Sequence, residues 1–416
     1  MKRILIIGGG VIGLCTAYFC MKKGFQVTVI ERGNPTHDAC SLGNAGMIVP
    51  SHFVPLAAPG MIAYGMKQML NPESPFFVRP RFDLSLLDWG FKFWRAANAE
   101  HVRRASPLLR DLSLGSRALY EEFATLWDND FKLVKKGLLM LCKEEKTLHE
   151  EAELAEKANR LGLKAEVLNA KQTAQKDPAI TMDVAGSIYF EQDCHLSPVK
   201  FVASLTRALE ENGVDFFWET EATGWKTAEG KIEAVQTNLG DFKADEFVLA
   251  GGSWSPSVVK QLGLSLPMQA GKGYSMTLQQ PKQLPELCSI FTEARVAVTP
   301  MGDTLRFGGT MEITGLNESI SQRRVDGIIK SVPKYFPEFK SDDFKEKPVW
   351  VGLRPCSPDG LPYVGRFAKF ANLSCATGHS MMGLSLGPIT GKLMSQILAG
   401  ESPEIASQAL SPNRYA

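Results

Sequence analysis

The chain opens on an apolar run, Ile4-Leu5-Ile6-Ile7, stopped by three glycines. An apolar-rich stretch reaching Gly24 follows, and then a second run from Phe25 to Ile30. Short apolar runs bounded by glycine predict buried strands, and the longer segment between them predicts a packed helix. Further along, Leu84 to Trp127 reads as helical. Leu87, Phe91 and Trp94 recur at helical spacing, and Leu108, Leu112, Leu119 and Phe123 extend the pattern. The aromatic cluster Trp89, Phe91, Phe93 and Trp94 is assigned to core packing in preference to a membrane-facing or partner-facing patch.

Phe131 to Cys142 alternates as a strand, Glu144 to Leu161 reads as a charged, exposed helix ended by Gly162, and Gly186 to Phe190 reads as a strand. Ser197 at an N-cap and Pro198 at the first helical position predict a helix that stops at Gly213. Val214 to Phe217 predicts a strand, Thr220 to Val235 a hairpin turning at Glu229-Gly230, and Phe247 to Ala250 a fully apolar strand. Prolines 55, 59, 72, 75 and 80 bar long regular elements between residues 53 and 80. The late pieces return to the opening unit after a long excursion, so the first domain is expected to be discontinuous.

Composition narrows the classes. A chain of 416 residues can hold two sizeable domains. A net charge of +1 leaves no electrostatic footprint for nucleic acid. The eight cysteines are scattered without a C-x-x-C pair, which argues against structural zinc and for a reducing compartment. No apolar run reaches the length of about eighteen residues that a spanning helix needs. The expectation is a cytoplasmic chain, with peripheral contact to the inner membrane left open. Lys2-Arg3 before an apolar stretch superficially suits a signal peptide, but the glycines interrupt that stretch and Lys22-Lys23 closes it without a small-residue cleavage site.

The glycines carry chemistry of their own. Gly8-x-Gly10-x-x-Gly13, with Val11 and Ile12 inside it, lies between a strand and a helix. Gly8 suits the tight turn, Gly10 the approach of backbone amides to a diphosphate, and Gly13 close helix packing. The diphosphate is expected at the helix N-terminus. Glu31 ends the second strand eighteen residues past Gly13, where a carboxylate accepts ribose hydroxyls. Between Arg32 and Pro50 lies a small-residue stretch that reads equally as a surface loop or as a loop around a planar cofactor.

Four later stretches add to this fingerprint: Gly271-Lys272-Gly273-Tyr274-Ser275, Arg306 to Glu312, Trp350-Val351-Gly352-Leu353-Arg354-Pro355 with Pro358-Asp359-Gly360, and Thr377-Gly378-His379 with Gly383. Together they resemble the D-amino-acid oxidase superfamily of FAD-dependent oxidoreductases, and within it the bacterial D-amino-acid dehydrogenases of small-subunit type. The resemblance spans nearly the whole chain and is least specific between about residues 53 and 185. It implies an α/β fold, α+β as a whole. A discontinuous Rossmann-like FAD-binding domain (1–80, 192–266 and 350–416) would enclose a substrate domain (81–191 and 267–349) built on an antiparallel sheet plus helices.

The resemblance also implies roles. Gly8, Gly10, Val11, Ile12 and Gly13 would hold the diphosphate, and Glu31 and Arg32 the adenosine. Ser41, Asn44, Ala45 and Gly46 would lie along the flavin, Gly251 and Gly252 beside the cofactor, and Gly378, His379, Met382 and Gly383 near its pyrimidine end. Arg354 would clamp a substrate carboxylate, a task for which a guanidinium fork is suited; the competing reading pairs it with Asp359 or a carbonyl. Tyr274 would add a second hydrogen bond to that carboxylate or be a packed phenol, and His379 would contact the flavin in preference to moving a proton. FAD would be non-covalent. Gly352 stands where sarcosine oxidases carry the cysteine that attaches flavin, and Cys356 is out of register.

The implied activity is oxidative deamination of D-amino acids, with D-proline or a D-hydroxyproline suggested by apolar Met381, Met382 and Leu384. Hydride would pass from the α-carbon to flavin N5, and electrons onward to a quinone or other carrier. Alternatives are a glycine or secondary-amine oxidase using oxygen, or a flavin-carrying subunit of a larger amino-acid dehydrogenase. Against the glycine oxidase, Ala297-Val298-Thr299-Pro300 lacks the tyrosine that those enzymes place nearby. An NAD-dependent dehydrogenase would leave the Gly-Leu-Arg-Pro and Gly-His stretches without a role.

Overall fold

A computed structural model describes residues 1–35, 39–69, 71 and 73–416 of the chain. Pro72 and positions 36–38 of the small-residue stretch lie outside the described residues. The opening pattern folds as strand Arg3–Ile7, helix Val11–Lys22 and strand Gln26–Ile30. These strands sit in a six-stranded sheet in the order Tyr363–Arg366, Leu373–Thr377, Glu246–Leu249, Arg3–Ile7, Gln26–Ile30, Asp215–Phe217. Every pairing is parallel except that of the edge strand Tyr363–Arg366.

The strands are apolar throughout because both faces are covered. Alternation sends Ile4, Ile6, Val29 and Val248 into one core, beneath helices Val11–Lys22, Pro198–Glu211 and Gly383–Ala399. Leu5, Ile7, Phe247 and Leu249 enter the other, with Ile232 and Val235 of the hairpin and with Val259 and Leu262. Ile7 pairs with both Ile30 and Leu249, so the strands finish along one edge, and the chain leaves that edge at Gly8, Glu31 and Gly251.

A second sheet of nine strands runs Val349–Cys356, Gln269–Gln279, Thr304–Ile313, Val296–Met301, Cys288–Phe291, Leu138–Cys142, Gly186–Phe190, Ala165–Asn169, with Phe76–Val78 added on Thr304–Ile313. Helix Gln322–Tyr335 contributes Val325, Ile328 and Val332 to the core on it. Phe76–Val78 and Val349–Cys356, which sequence assigned largely to the cofactor half, pair in this second sheet.

Several expectations need correction. The helical stretch from residue 84 is two helices, Leu84–Ala96 and Ala99–Leu126. Asn98 breaks it by accepting a hydrogen bond from the His101 N–H, a local cap that periodicity does not reveal. The strand expected from Phe131 is regular only over Leu138–Cys142, because Lys132 and Gly137 take positive φ before it. Ser197 occupies the N-cap, with Pro198 first in the helix, but its side chain makes no capping bond. In the aromatic cluster, Trp89 is buried and Phe93 is stacked on it, whereas Phe91 and Trp94 are 57% and 61% exposed. Core packing therefore fails for the outer pair.

Candidate active site

A cavity of about 780 Å³ runs from the C-terminal edge of the parallel sheet to the second sheet. That is near the top of the range of roughly 300–1,000 Å³ usual for ligand sites, room enough for a large cofactor and a small substrate together.

At one end backbone dominates. Helix Val11–Lys22 starts behind Gly10 with no side-chain cap and no acidic residue in its first turn. Ser41 Oγ accepts the Val11 N–H, and the helix end otherwise favours an anion. Gly8 holds φ +117, and a Cβ on Gly13 would stand 1.9 Å from the Gly8 carbonyl oxygen, so helix and turn approach more closely than any side chain allows. Glu31 accepts hydrogen bonds from the N–H groups of Gly9 (2.7 Å) and Gly33 (2.8 Å), which fixes the carboxylate beside this turn. The Arg32 guanidinium stacks 3.7 Å over the Trp254 ring in the same wall.

Part of the small-residue loop forms a cavity wall. Residues 39–41 and 43–45 line the space. Half-buried Arg306 donates to the carbonyls of Leu42 and Asn44, and Ser275 Oγ donates to the Gly43 carbonyl. Desolvation lowers the Arg306 pKa to about 10. Of the expected cofactor residues, Gly13, Gly46 and Gly378 stand behind the wall and the others line it. At the far end, Met382 and Gly383 begin helix Gly383–Ala399, again without a side-chain cap or an acidic first turn.

Arg354 lies on the edge strand Val349–Cys356 of the second sheet and reaches sideways across the sheet. Its guanidinium passes over Gly273 on the neighbouring strand, where an added Cβ would meet it at 2.2 Å, and donates to the Thr310 carbonyl on the strand beyond at 2.5 Å. A bulge makes that carbonyl available. Lys272 faces Glu312 and Tyr274 faces Gly309, so Gly273 alone opposes both Thr310 and Met311. Thr310 holds φ +71, a strained conformation for a β-branched residue of the kind found at functional sites.

Arg354 forms no ion pair among the described residues, and burial lowers its pKa from the ordinary guanidinium value. The pairing with Asp359 does not occur. Asp359 is held by Arg414 through two hydrogen bonds of 2.7 and 3.0 Å. A cation in a cavity wall with no countercharge among the described residues favours an anionic ligand.

Tyr274 is buried, and its hydroxyl donates to Glu312 at 2.5 Å while accepting the Ser321 N–H. Its single proton is therefore engaged away from Arg354, and desolvation followed by the Glu312 bond raises its pKa. His379 pairs through Nε2 with Thr390 Oγ1 at 2.9 Å, and its Nδ1 is buried with no hydrogen-bond partner among the described residues. Desolvation lowers its pKa to about 3, so the ring is neutral. His52, Arg295, Trp254 and Thr310 also line the cavity, and Arg306 holds its loop wall; none of these placements was marked from sequence. The Arg306 to Glu312 stretch had signalled a site without saying which of its residues act.

FAD fits these residues. The uncapped helix end and the glycine turn suit a diphosphate, Glu31 a ribose, and the pinned loop a planar ring.

The sequence matches the DAO family, described as FAD dependent oxidoreductase, over residues 3–397. It is 31% identical over 423 residues to a D-amino acid dehydrogenase of Granulibacter bethesdensis, covering all of both chains. It is 30% identical to one of Helicobacter pylori, covering 95% of this chain and 94% of that one. In fold it is similar to glycine oxidase from Geobacillus kaustophilus (TM-score 0.79, 22% identity, all of both chains). It is also similar to L-proline dehydrogenase from P. horikoshii (TM-score 0.75, 17% identity, 100% and 97% covered).

Proposed function

The chain belongs to the DAO family of FAD-dependent oxidoreductases, and from that premise we propose that it is a D-amino-acid dehydrogenase. Its substrate is a D-amino acid, with cyclic D-proline or a hydroxyproline as the preferred form, and its electrons pass to a quinone or other carrier at a membrane surface. The observation that carries the reading is Arg354, a guanidinium with no countercharge among the described residues, in the same cavity as the dinucleotide cradle. Full-length similarity to D-amino acid dehydrogenases supports the same activity.

Bound FAD supplies a two-electron acceptor for the hydride that leaves the substrate α-carbon. The chain does the rest by placement. Arg354 holds the carboxylate through its free N–H groups while the Thr310 carbonyl fixes the fork. Neutral His379 keeps charge off the wall, and Met382 and Leu384 exclude water. The amine lone pair drives hydride departure, so no general base is required. The imino acid formed takes up water to give a keto acid and ammonia, or, from a cyclic amine, opens its ring to an amino keto acid. In this reading the parallel-sheet segments carry FAD, and the second sheet, including Phe76–Val78 and Val349–Cys356, carries the substrate.

The test is anaerobic mixing of the yellow protein with D- and L-amino acids, prolines included, while flavin absorbance is followed. Bleaching by D-substrates, reversed by a quinone analogue and only slowly by air, is the expected result. Rapid reoxidation by oxygen with peroxide release would make it an oxidase, and absence of bleaching by every amino acid would leave a flavin-carrying subunit.

A further inference from the structure

Hydride departure needs no general base, but it needs the nitrogen lone pair, and an amino acid arrives at neutral pH as an ammonium. One proton must leave first. In the cavity wall, His52 heads a chain of polar groups that neither the dinucleotide cradle nor the Arg354 clamp uses. Its Nδ1 lies 3.1 Å from Ser51 Oγ, and Ser51 Oγ donates to Asp193 Oδ2 at 2.5 Å. The Ser51 N–H donates to the other carboxylate oxygen, Asp193 Oδ1, at 3.0 Å.

The chain runs from the cavity to an enclosed carboxylate. Asp193 is 1% exposed and Ser51 6%, whereas His52 is half-buried and its Nε2 has no hydrogen-bond partner among the described residues. Proton counting fixes the direction of the bonds. Ser51 has one hydroxyl proton and gives it to Asp193, so its oxygen accepts from His52, which carries its own proton on Nδ1. Nε2 is then a bare lone pair, ready to accept.

The surroundings decide where an added proton rests. Asp193 forms no ion pair among the described residues; the charged or titratable groups near it are Arg117 and the thiols of Cys194 and Cys288. Desolvation outweighs the Ser51 bonds and Arg117 and raises its pKa to about 7. Desolvation, with Arg295 nearby, lowers that of His52 to about 4. A proton entering at His52 therefore settles on Asp193 and leaves the imidazole neutral.

We propose that His52, Ser51 and Asp193 form a relay that takes one proton from the substrate ammonium. The substrate N–H bond breaks as Nε2–H forms, Nδ1 passes its proton to Ser51 Oγ, and Ser51 Oγ passes its own to Asp193 Oδ2. The products are a neutral amine, an uncharged imidazole in its other tautomer and a carboxylic acid; nothing is oxidised or reduced. His52 is the catalytic residue of the three, and Ser51 and Asp193 act through it. The relay rests on the proposed function for its substrate.

The experiment is anaerobic stopped-flow reduction of the FAD-loaded protein by D-proline and by D-alanine, from roughly pH 6 to 10. In wild type the rate constant at limiting substrate is expected to rise with pH up to about 7 and to level off above it. In His52→Gln and Asp193→Asn it should keep rising, about tenfold per pH unit, until the substrate ammonium itself loses its proton. At neutral pH these variants should fall about a hundredfold below wild type, and at the alkaline end they should approach it. Ser51→Ala, which cuts the chain and leaves both ends in place, should give the same profile at equal flavin content.

Variants that keep the wild-type profile, or that are slower by one factor at every pH as a packing defect would make them, overturn the relay. A wild-type flavin that no amino acid bleaches at any pH overturns the proposed function and the relay with it, an outcome distinct from bleaching with an unaltered profile.

Discussion

The two ends of the cavity are built in opposite ways. At the nucleotide end, backbone does the work. Gly8, the amides of helix Val11–Lys22 and the Glu31 carboxylate lie within one strand-helix-strand unit, and their register follows from local chain geometry. At the end proposed for the substrate, a side chain does it, seated on the backbone of two neighbouring strands of a different sheet. Arg354 crosses over Gly273 to reach Thr310, and nothing local to Arg354 determines where its guanidinium goes. A site made of backbone is hard to perturb without losing the fold. A site made of side chains can be tuned while the fold stays.

The sharpest break in that comparison comes from Gly13→Ala at the nucleotide end. The added Cβ would sit 1.9 Å from the Gly8 carbonyl oxygen, so helix and turn must separate, at a cost of about 3 kcal/mol. The expected outcome is a colourless, destabilised protein, read by flavin absorbance and thermal melting. Full flavin content would mean that helix and turn can part without losing the cofactor.

At the substrate end the larger effect is Arg354→Lys, which keeps the charge and loses the planar fork. It should lower kcat/KM for amino acids by about a hundredfold while flavin content is unchanged. Gly273→Ala should follow, raising KM about tenfold by pushing the guanidinium aside, again without flavin loss. Thr310→Gly sharpens the same point from the other side. It relieves the positive φ while leaving the carbonyl that Arg354 uses, so stability should rise by about 1 kcal/mol with KM unchanged. A loss of flavin in any of these three would show that the two ends are not separable.

The smallest effect is on pH. His52, His195 and His379 have folded pKa values lowered to about 4, 4 and 3, in each case chiefly by desolvation. Below the ordinary histidine value, near 6.5, the unfolded chain binds protons that the folded chain does not. Stability is therefore fully present above pH 6.5 and is lost as pH falls toward 4. The melting temperature should decline across that window, and His379→Asn should reduce the slope without moving the pH profile of kcat/KM.

The same contrast explains what could be read from sequence. The opening unit was legible because its information is local: strand, glycines, helix, strand and terminal acid come in order. The hairpin was legible because Glu229-Gly230 joins two alternating runs, and both residues adopt positive φ. At the other end, motif position marked Arg354 but not its route, because the bulge opposite Gly273 exists only once the sheet is assembled. Tyr274 looked available for a carboxylate until its hydroxyl was found on Glu312, a partner thirty-eight residues away. On helix Leu84–Ala96, periodicity reported a helix correctly but could not tell which of two apolar stripes faces inward. Phe91 and Trp94, expected inside, form the outer one with Leu87.

The most direct measurement concerns the carboxylate. Titration of the FAD-loaded protein with 2-methylalanine, an achiral amino acid that has no α-hydrogen to lose, would report binding through the flavin spectrum without turnover. Saturable binding in the wild type, weakened roughly a hundredfold or more in Arg354→Ala at equal flavin content, is the expected result. Equal affinity in the two proteins would contradict Arg354 as the substrate clamp, and with it the division of the cavity into a backbone end and a side-chain end.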